Sequence, residues 1–331
     1  MTRVFWFLVA SLGQGPNQKR LSQYCADPSI DVIILSFVHL FPQQASGYPG
    51  IDFGNQCWAE TYAGPGYGGQ NKPANNRLLK CPNLQRDLYT CWQTSTKKIL
   101  LSLGDGTTAY QLTGAVDGEN LAKQLWYMFG PRSAGFSVDG FDLNIEHPPT
   151  DGSAGYRALA TKLRSLYATA PGTFYLTASP RCVVSDASMA DALRATTFDM
   201  VFVQFYNTAQ CSARRWADAN RNYAPGGAFS AAGFTYDAWT SLLAGTYSRN
   251  ARVYLGLPGS ARAASPWFEL TVRQAANLAN AYYRRSNFGG VAIWEATYAS
   301  ENVASGKNFY QNLKAALNTA STNKRLSCVP R

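Results

Sequence analysis

The residues best suited to chemistry lie in one run, Asp139-Gly140-Phe141-Asp142-Leu143-Asn144-Ile145-Glu146. Successive side chains of an extended strand point to opposite faces, so Asp142, Asn144 and Glu146 share one face and Phe141, Leu143 and Ile145 the other. Three polar side chains on a buried face cost free energy unless they are bonded or functional. A ladder that merely fixes strand register is one reading. A carboxyl at the open end of the strand, with a second carboxyl behind it, is also where a general acid would stand.

The rest of the chain supplies the elements that position this run. Short apolar stretches alternate with helical patterns from end to end. Strands are expected at Val4–Ala10, Val32–Leu40, Ile99–Leu103, Gly140–Ile145, Phe174–Ala178, Met200–Phe205, Val253–Leu257 and Gly290–Trp294. Helices are expected at Gln18–Tyr24, Pro82–Gln93, Asn120–Phe129, Tyr156–Tyr167, Ala187–Arg194, Tyr236–Leu243, Val272–Tyr283 and Phe309–Leu317, and the Gly-, Pro- and Asn-rich Ile51–Lys80 reads as a surface excursion. Eight strand–helix pairs with no break in composition predict an α/β fold, a single (β/α)8 barrel spanning residues 1–331. Neither G-x-G-x-x-G nor G-x-x-x-x-G-K-[ST] occurs, which argues against an open nucleotide-binding sheet. Barrel chemistry sits at the C-terminal ends of the strands. That rule selects Gly104-Asp105, Asn144–Glu146, Gln204–Tyr206 and Trp294-Glu295.

Composition narrows the function. Hydrophobic residues reach 46% and charged residues only 15% of 331, which excludes general disorder and a coiled coil. The net charge of +10 is scattered, without a run of like charges, so no nucleic-acid partner is expected. The 8 Trp, 19 Tyr and 17 Phe suit stacking on flat apolar faces such as sugar rings. Seven Cys against two His, without C-x-x-C, argue for three bridges in an oxidising, extracellular compartment and against zinc, with Cys328 left over. No metal and no cofactor are expected. Val4–Ala10 also reads as a weak signal peptide; if it is a strand, the secretion signal is missing from this sequence. No run of 18 apolar residues exists, so no membrane span is expected.

Asp139–Glu146 resembles the D-G-x-D-x-D-x-E signature of glycoside hydrolase family 18, and the chain is similar to its fungal and plant class III chitinases. The likeness runs from about Arg20 to Leu317. It is carried also by Arg20–Cys25, Ser102–Gly104, Leu176–Pro180, Gln204-Phe-Tyr-Asn207, Gly256–Pro258 and Ala292–Trp294. The resemblance implies a (β/α)8 barrel, a monomer, and retaining hydrolysis of chitin or chito-oligosaccharides assisted by the substrate's own acetamido group. It implies that Glu146 is the acid and base, that Asp142 tunes the carboxylates, and that Tyr206 donates to the acetamido carbonyl. Gln204 would hold the same sugar and Trp294 would floor it. Asn207, Asp105 and Asp139 complete the expected substrate-contacting set. The implied disulfides are Cys25–Cys91, Cys57–Cys81 and Cys182–Cys211.

The departures from the pattern matter as much. Asn144 stands where the family has Asp, so the group nearest the acetamide carries no charge. Asp105 stands where the family has Gly, and Arg181 where related chains have Gln; Trp6 and Gly13-Gln14 hold only scattered elements of the usual first strand. Three readings follow: an endo-acting chitinase-like hydrolase with severely reduced turnover, a lectin-like protein that sequesters chito-oligosaccharides, or a protein-binding or inhibitor scaffold. The other candidates weigh less. His147 is expected behind the site or in solvent, and His39 in the core or mouth. Trp126 and Trp239 are expected to pack, Trp58 is a further candidate sugar platform, and Ser102 and Ser179 lack the surroundings of nucleophiles.

Overall fold

The computed structural model describes residues 7–13, 15–45, 47–57, 61–62, 81–131, 136–184 and 186–327. Trp6, Gln14, Trp58, Cys328 and most of the Ile51–Lys80 excursion lie outside them. Eight strands form the barrel: β1 (Phe7–Leu12), β2 (Val32–Leu40), β3 (Lys98–Leu103), β4 (Gly140–Leu143), β5 (Tyr175–Ala178), β6 (Met200–Gln204), β7 (Arg252–Pro258) and β8 (Phe288–Trp294). Neighbours pair in parallel around the ring, and β1 closes it, with Val9 opposite Val32 on one side and Ala292 on the other. Two short antiparallel strands, Gly50–Ile51 and Thr61–Tyr62, extend the edge of β2.

The period-two alternation of the strands sorts the core into two layers. Leu8, Ile33, Leu101, Phe141, Leu176, Val203 and Leu255 face outward and pack under the helices. Val9, Ile34, Leu100, Phe202 and Tyr254 face inward and fill the lower lumen. Two residues further along the same inward face, the side chains become polar: Ser11, Ser36, Ser102 and Gln204. The site is therefore a continuation of the barrel interior, with an apolar floor and a polar mouth.

The covering helices are α1 (Leu21–Ala26), α2 (Pro82–Thr94), α3 (Ala115–Phe129), α4 (Ala154–Ala168), α5 (Ala190–Ala195), α6 (Ala213–Ala219), α7 (Tyr236–Ala244), α8 (Val272–Tyr282), α9 (Ala296–Glu301) and α10 (Phe309–Ser327). Pro82 opens α2 at its first turn, where the missing N–H costs nothing. Thr271 and Gln274 form a reciprocal capping box on α8. α3 and α4 touch through Gly118 and Gly155, where a Cβ on Gly118 would overlap the Gly155 carbonyl.

The structure corrects several boundaries. β4 ends at Leu143, so Asn144 and Ile145 follow the strand rather than belong to it. α6 and α9 are additional to the eight expected helices. Each is under eight residues long and is set by its cap, Ser212 for α6 and the Glu295 carboxylate for α9, rather than by apolar periodicity. The three expected disulfides are formed, with Cα–Cα distances of 5.6 Å for Cys25–Cys91, 5.2 Å for Cys57–Cys81 and 5.7 Å for Cys182–Cys211. Among the described residues no helix is long and apolar enough to cross a membrane.

Candidate active site

A cavity of ≈ 220 Å³ opens at the C-terminal ends of the strands, with Asp142, Asn144, Glu146, Gln204, Tyr206 and Trp294 on its wall. These side chains come from the ends of three different strands, β4, β6 and β8, as expected for barrel chemistry.

Asp142 lies deepest and is almost fully buried. Its carboxylate accepts from Thr177 Oγ1 at 2.6 Å, Ser102 Oγ at 2.8 Å and Ser179 Oγ at 3.0 Å. Burial raises its pKa, and the three hydroxyl donors offset only part of that rise. Asn144 sits one step higher and uses both ends of its amide. Its Nδ2 donates to Glu146 Oε1 at 3.0 Å, and its Oδ1 accepts from Gln204 Nε2 at 2.8 Å. Gln204 also donates to the Ser179 carbonyl at 3.0 Å and reaches Glu146 Oε1 at 3.3 Å. Glu146, Asn144, Gln204 and Ser179 are thus one connected network, and Ser179 joins it to Asp142.

Tyr206 lines the same cavity. Burial, and then the nearby Glu146 charge, push its phenol well above the ordinary tyrosine value, so it remains an O–H donor at neutral pH. Trp294 packs against Phe37 with ring centroids 5.6 Å apart and 27° between planes, leaving its indole on the cavity wall. Gly13 lies behind it, and a Cβ there would come within 2.8 Å of the indole. Asn207 adopts a left-handed φ of 57° and accepts from the Ser265 N–H at 2.8 Å, which ties the loop after β7 to the cavity wall.

Two expected site residues stand elsewhere. Asp139 precedes β4 and is at the opposite end of the barrel from the mouth. It accepts from the Ile99 N–H at 2.9 Å and pairs with Lys98 at 3.3 Å, so it fastens the start of β3 rather than touching a ligand. The Asp105 carboxylate turns back onto its own loop and accepts from the Thr107 N–H at 2.6 Å. Gly106, not Asp105, faces the cavity, and a Cβ there would lie 3.7 Å from Glu146 Oε2. His147 packs tilted against the Tyr110 ring, its Nε2 lying 2.9 Å from the Tyr110 carbonyl oxygen, and does not line the cavity. Trp126 packs against Phe174 and Tyr167, and Trp239 is buried and donates to the Cys182 carbonyl, so both are packing residues.

Sequence reasoning missed Tyr110. This buried phenol accepts from the Glu146 N–H at 3.1 Å and donates to the Asp105 carbonyl at 2.9 Å. It fixes the backbone of Glu146 from a loop 36 residues away in sequence. It also missed Glu295 as a structural group: its carboxylate caps α9 through the Tyr298 and Thr297 N–H groups at 2.9 and 3.1 Å.

Comparison with known proteins places these features in a family context. The model described as "Glycosyl hydrolases family 18" matches residues 13–267. Endochitinase A of Emericella nidulans is 36% identical over 322 residues, which is 92% of this chain and 31% of that protein. The chain therefore spans about a third of the length of that curated relative. Two solved structures share the fold: a chitinase from Ipomoea carnea (TM-score 0.67, 22% identity, 94% of this chain and 99% of that one) and a xylanase–amylase inhibitor protein (TM-score 0.70, 24% identity, 95% and 99%).

Proposed function

This chain belongs to glycosyl hydrolase family 18, and from that premise we propose that its cleft binds chitin and chito-oligosaccharides and cleaves them internally at a strongly reduced rate. The observation that carries the reading is the convergence of Glu146, Gln204, Tyr206 and Trp294 on one cavity. An abandoned sugar cleft has no reason to keep them together.

In the proposed reaction Glu146 donates its proton to the glycosidic oxygen and the leaving sugar departs. The acetamido carbonyl oxygen of the bound sugar attacks the anomeric carbon, forming a cyclic oxazolinium. Glu146, now a carboxylate, takes a proton from water, and the hydroxide opens the ring with net retention of configuration. Tyr206 donates to the acetamido carbonyl and Trp294 supports the apolar face of the ring. The family's aspartate would balance the positive oxazolinium; Asn144 has no charge with which to do so. Losing one preorganised electrostatic partner costs about 10²–10³ in rate. Ground-state binding depends on shape and neutral donors and suffers much less.

A second reading is a lectin-like protein that sequesters chito-oligosaccharides. The neutral Asn144, hydrogen-bonded at both ends of its amide, favours it. The three disulfides support secretion in either case. Calorimetric titration with chitohexaose, beside hydrolysis by the native chain and by Glu146→Gln, tests both. Binding with hydrolysis above the Glu146→Gln blank supports the enzyme. Binding with hydrolysis equal to the blank supports the lectin. Absence of binding overturns both.

A further inference from the structure

The loop from Gly259 to Thr271, between β7 and α8, carries a side chain that the cleft chemistry does not use. Trp267 is 79% exposed, leaving most of a large indole in water. Its backbone is also unfavourable, with φ at +75°, a region that bulky L-residues rarely adopt. The Phe268 N–H closes a turn on the Ser265 carbonyl at 3.4 Å, with Pro266 second and Trp267 third. Proline second and a positive φ third is the pattern of a type II turn, whose third position ordinarily takes Gly or Asn. Strain and exposure thus fall on the same residue, which stands where the turn would ordinarily carry Gly or Asn. Local strain of this kind points to a function for the strained side chain.

The turn is held firmly beside the cleft. Ser265, its first residue, donates its N–H to Asn207 Oδ1 at 2.8 Å, and Asn207 lines the cavity. At the base of the loop Arg262 pairs with Glu301 at 2.9 Å and lies 4.8 Å over the Tyr298 ring. The indole is therefore an exposed apolar plate carried on a turn whose first residue is bonded to the cleft wall. Such a plate suits the flat C–H face of a pyranose ring, and an anchored turn backbone lowers the entropy lost when the loop binds.

We propose that Trp267 is a sugar-stacking site on the rim of the cleft, taking a pyranose ring of a glycan chain that runs out of the cavity past Asn207. The inference rests on the function proposed above and adds a binding position to it. A short oligomer occupies the cavity alone, while a long one reaches the rim.

The test is calorimetric titration of the native chain, Trp267→Gly and Trp267→Tyr with the trimer and the hexamer of N-acetylglucosamine. Glycine suits the positive φ, so Trp267→Gly should fold at least as well as the native chain, which thermal unfolding checks. The expected result is a loss of about three- to tenfold in hexamer affinity for Trp267→Gly, unchanged trimer affinity, and recovery of most of the loss in Trp267→Tyr. Native-like hexamer binding by Trp267→Gly, or an equal loss for both oligomers, overturns the rim site while leaving the proposed function standing. A native chain that binds neither oligomer overturns the proposed function and the rim site with it.

Discussion

The Asn144 amide donates to Glu146 Oε1 at 3.0 Å, while Asp142 is engaged by the hydroxyls of Ser102, Thr177 and Ser179. The neutral side chain at position 144 is thereby tied to the Glu146 carboxyl and to Gln204 rather than to the carboxyl behind it. Glu146 is held by a donor whose proton cannot be relayed.

Restoring a carboxylate should restore chemistry. Asn144→Asp is nearly isosteric and supplies a negative charge beside the developing cation. Hydrolysis of chitohexaose is expected to rise by about 10²–10³, with little change in affinity for the intact oligomer. Product chromatography over time measures it. An Asn144→Asp protein no faster than the native chain would show that the missing charge is not the lesion.

Tyr110→Phe should loosen Glu146 without touching the ligand. The substitution leaves the Glu146 N–H and the Asp105 carbonyl without their partner. A stability loss of about 1–3 kcal/mol in urea unfolding is expected for the unpaired groups. In the Asn144→Asp background, kcat should fall while KM stays close to its parent value, because the acid is displaced and the sugar contacts remain. An unchanged kcat would leave Tyr110 with a structural role only.

Asp142 sets a pH dependence of stability. Burial raises its pKa above 3.8, so the folded chain holds this proton more tightly than the unfolded chain does. The stabilisation from this group is full below the unfolded value and is lost as pH rises through the folded one. Glu295, raised by burial from 4.5, acts with the same sign, so the native slope alone does not isolate Asp142. Asp142→Asn does not ionise. The difference in Tm between Asp142→Asn and the native chain should therefore move in favour of Asp142→Asn between about pH 3 and pH 7. A flat difference would show that burial does not govern this carboxyl.

Two glycines of the loop after β3 should respond oppositely to alanine. Gly104 has φ +91°, and a Cβ on it would overlap the Asn144 carbonyl and come within 3.0 Å of the Tyr110 ring. Gly104→Ala should cost about 2–4 kcal/mol through backbone strain and overpacking. A Cβ on Gly106 meets only Glu146 Oε2, at an ordinary 3.7 Å. Gly106→Ala should unfold within about 0.5 kcal/mol of the native chain, as for a substitution free of buried contacts, yet weaken oligosaccharide binding by narrowing the cavity. Chemical denaturation and calorimetry on both variants separate the two effects.

The alternation of strands and helices was legible in the sequence because strands buried on both faces are short unbroken apolar runs, while the helices around them carry apolar residues at a period near 3.6. The shared face of Asp142, Asn144 and Glu146 was legible because alternate side chains of an extended chain point the same way, and the gathering of Gln204, Tyr206 and Trp294 because barrel strands bring their C-terminal ends together. Hydrogen-bond choice was not. Asp105-Gly106-Thr107 permits an Asx turn, but whether the carboxylate closes on Thr107 or reaches into the cavity, and so whether Gly106 faces the cavity, is decided by where the barrel places the loop. Asp139 shares a motif with Glu146, but a strand of fixed rise carries the two to opposite ends of the barrel. Tyr110 has no motif at all, and its part emerges only where closure of the barrel brings its hydroxyl to the Glu146 N–H. Periodicity acts between near neighbours and is written in the chain, whereas the partners of a buried polar atom are whatever groups the closed barrel sets within about 3 Å of it.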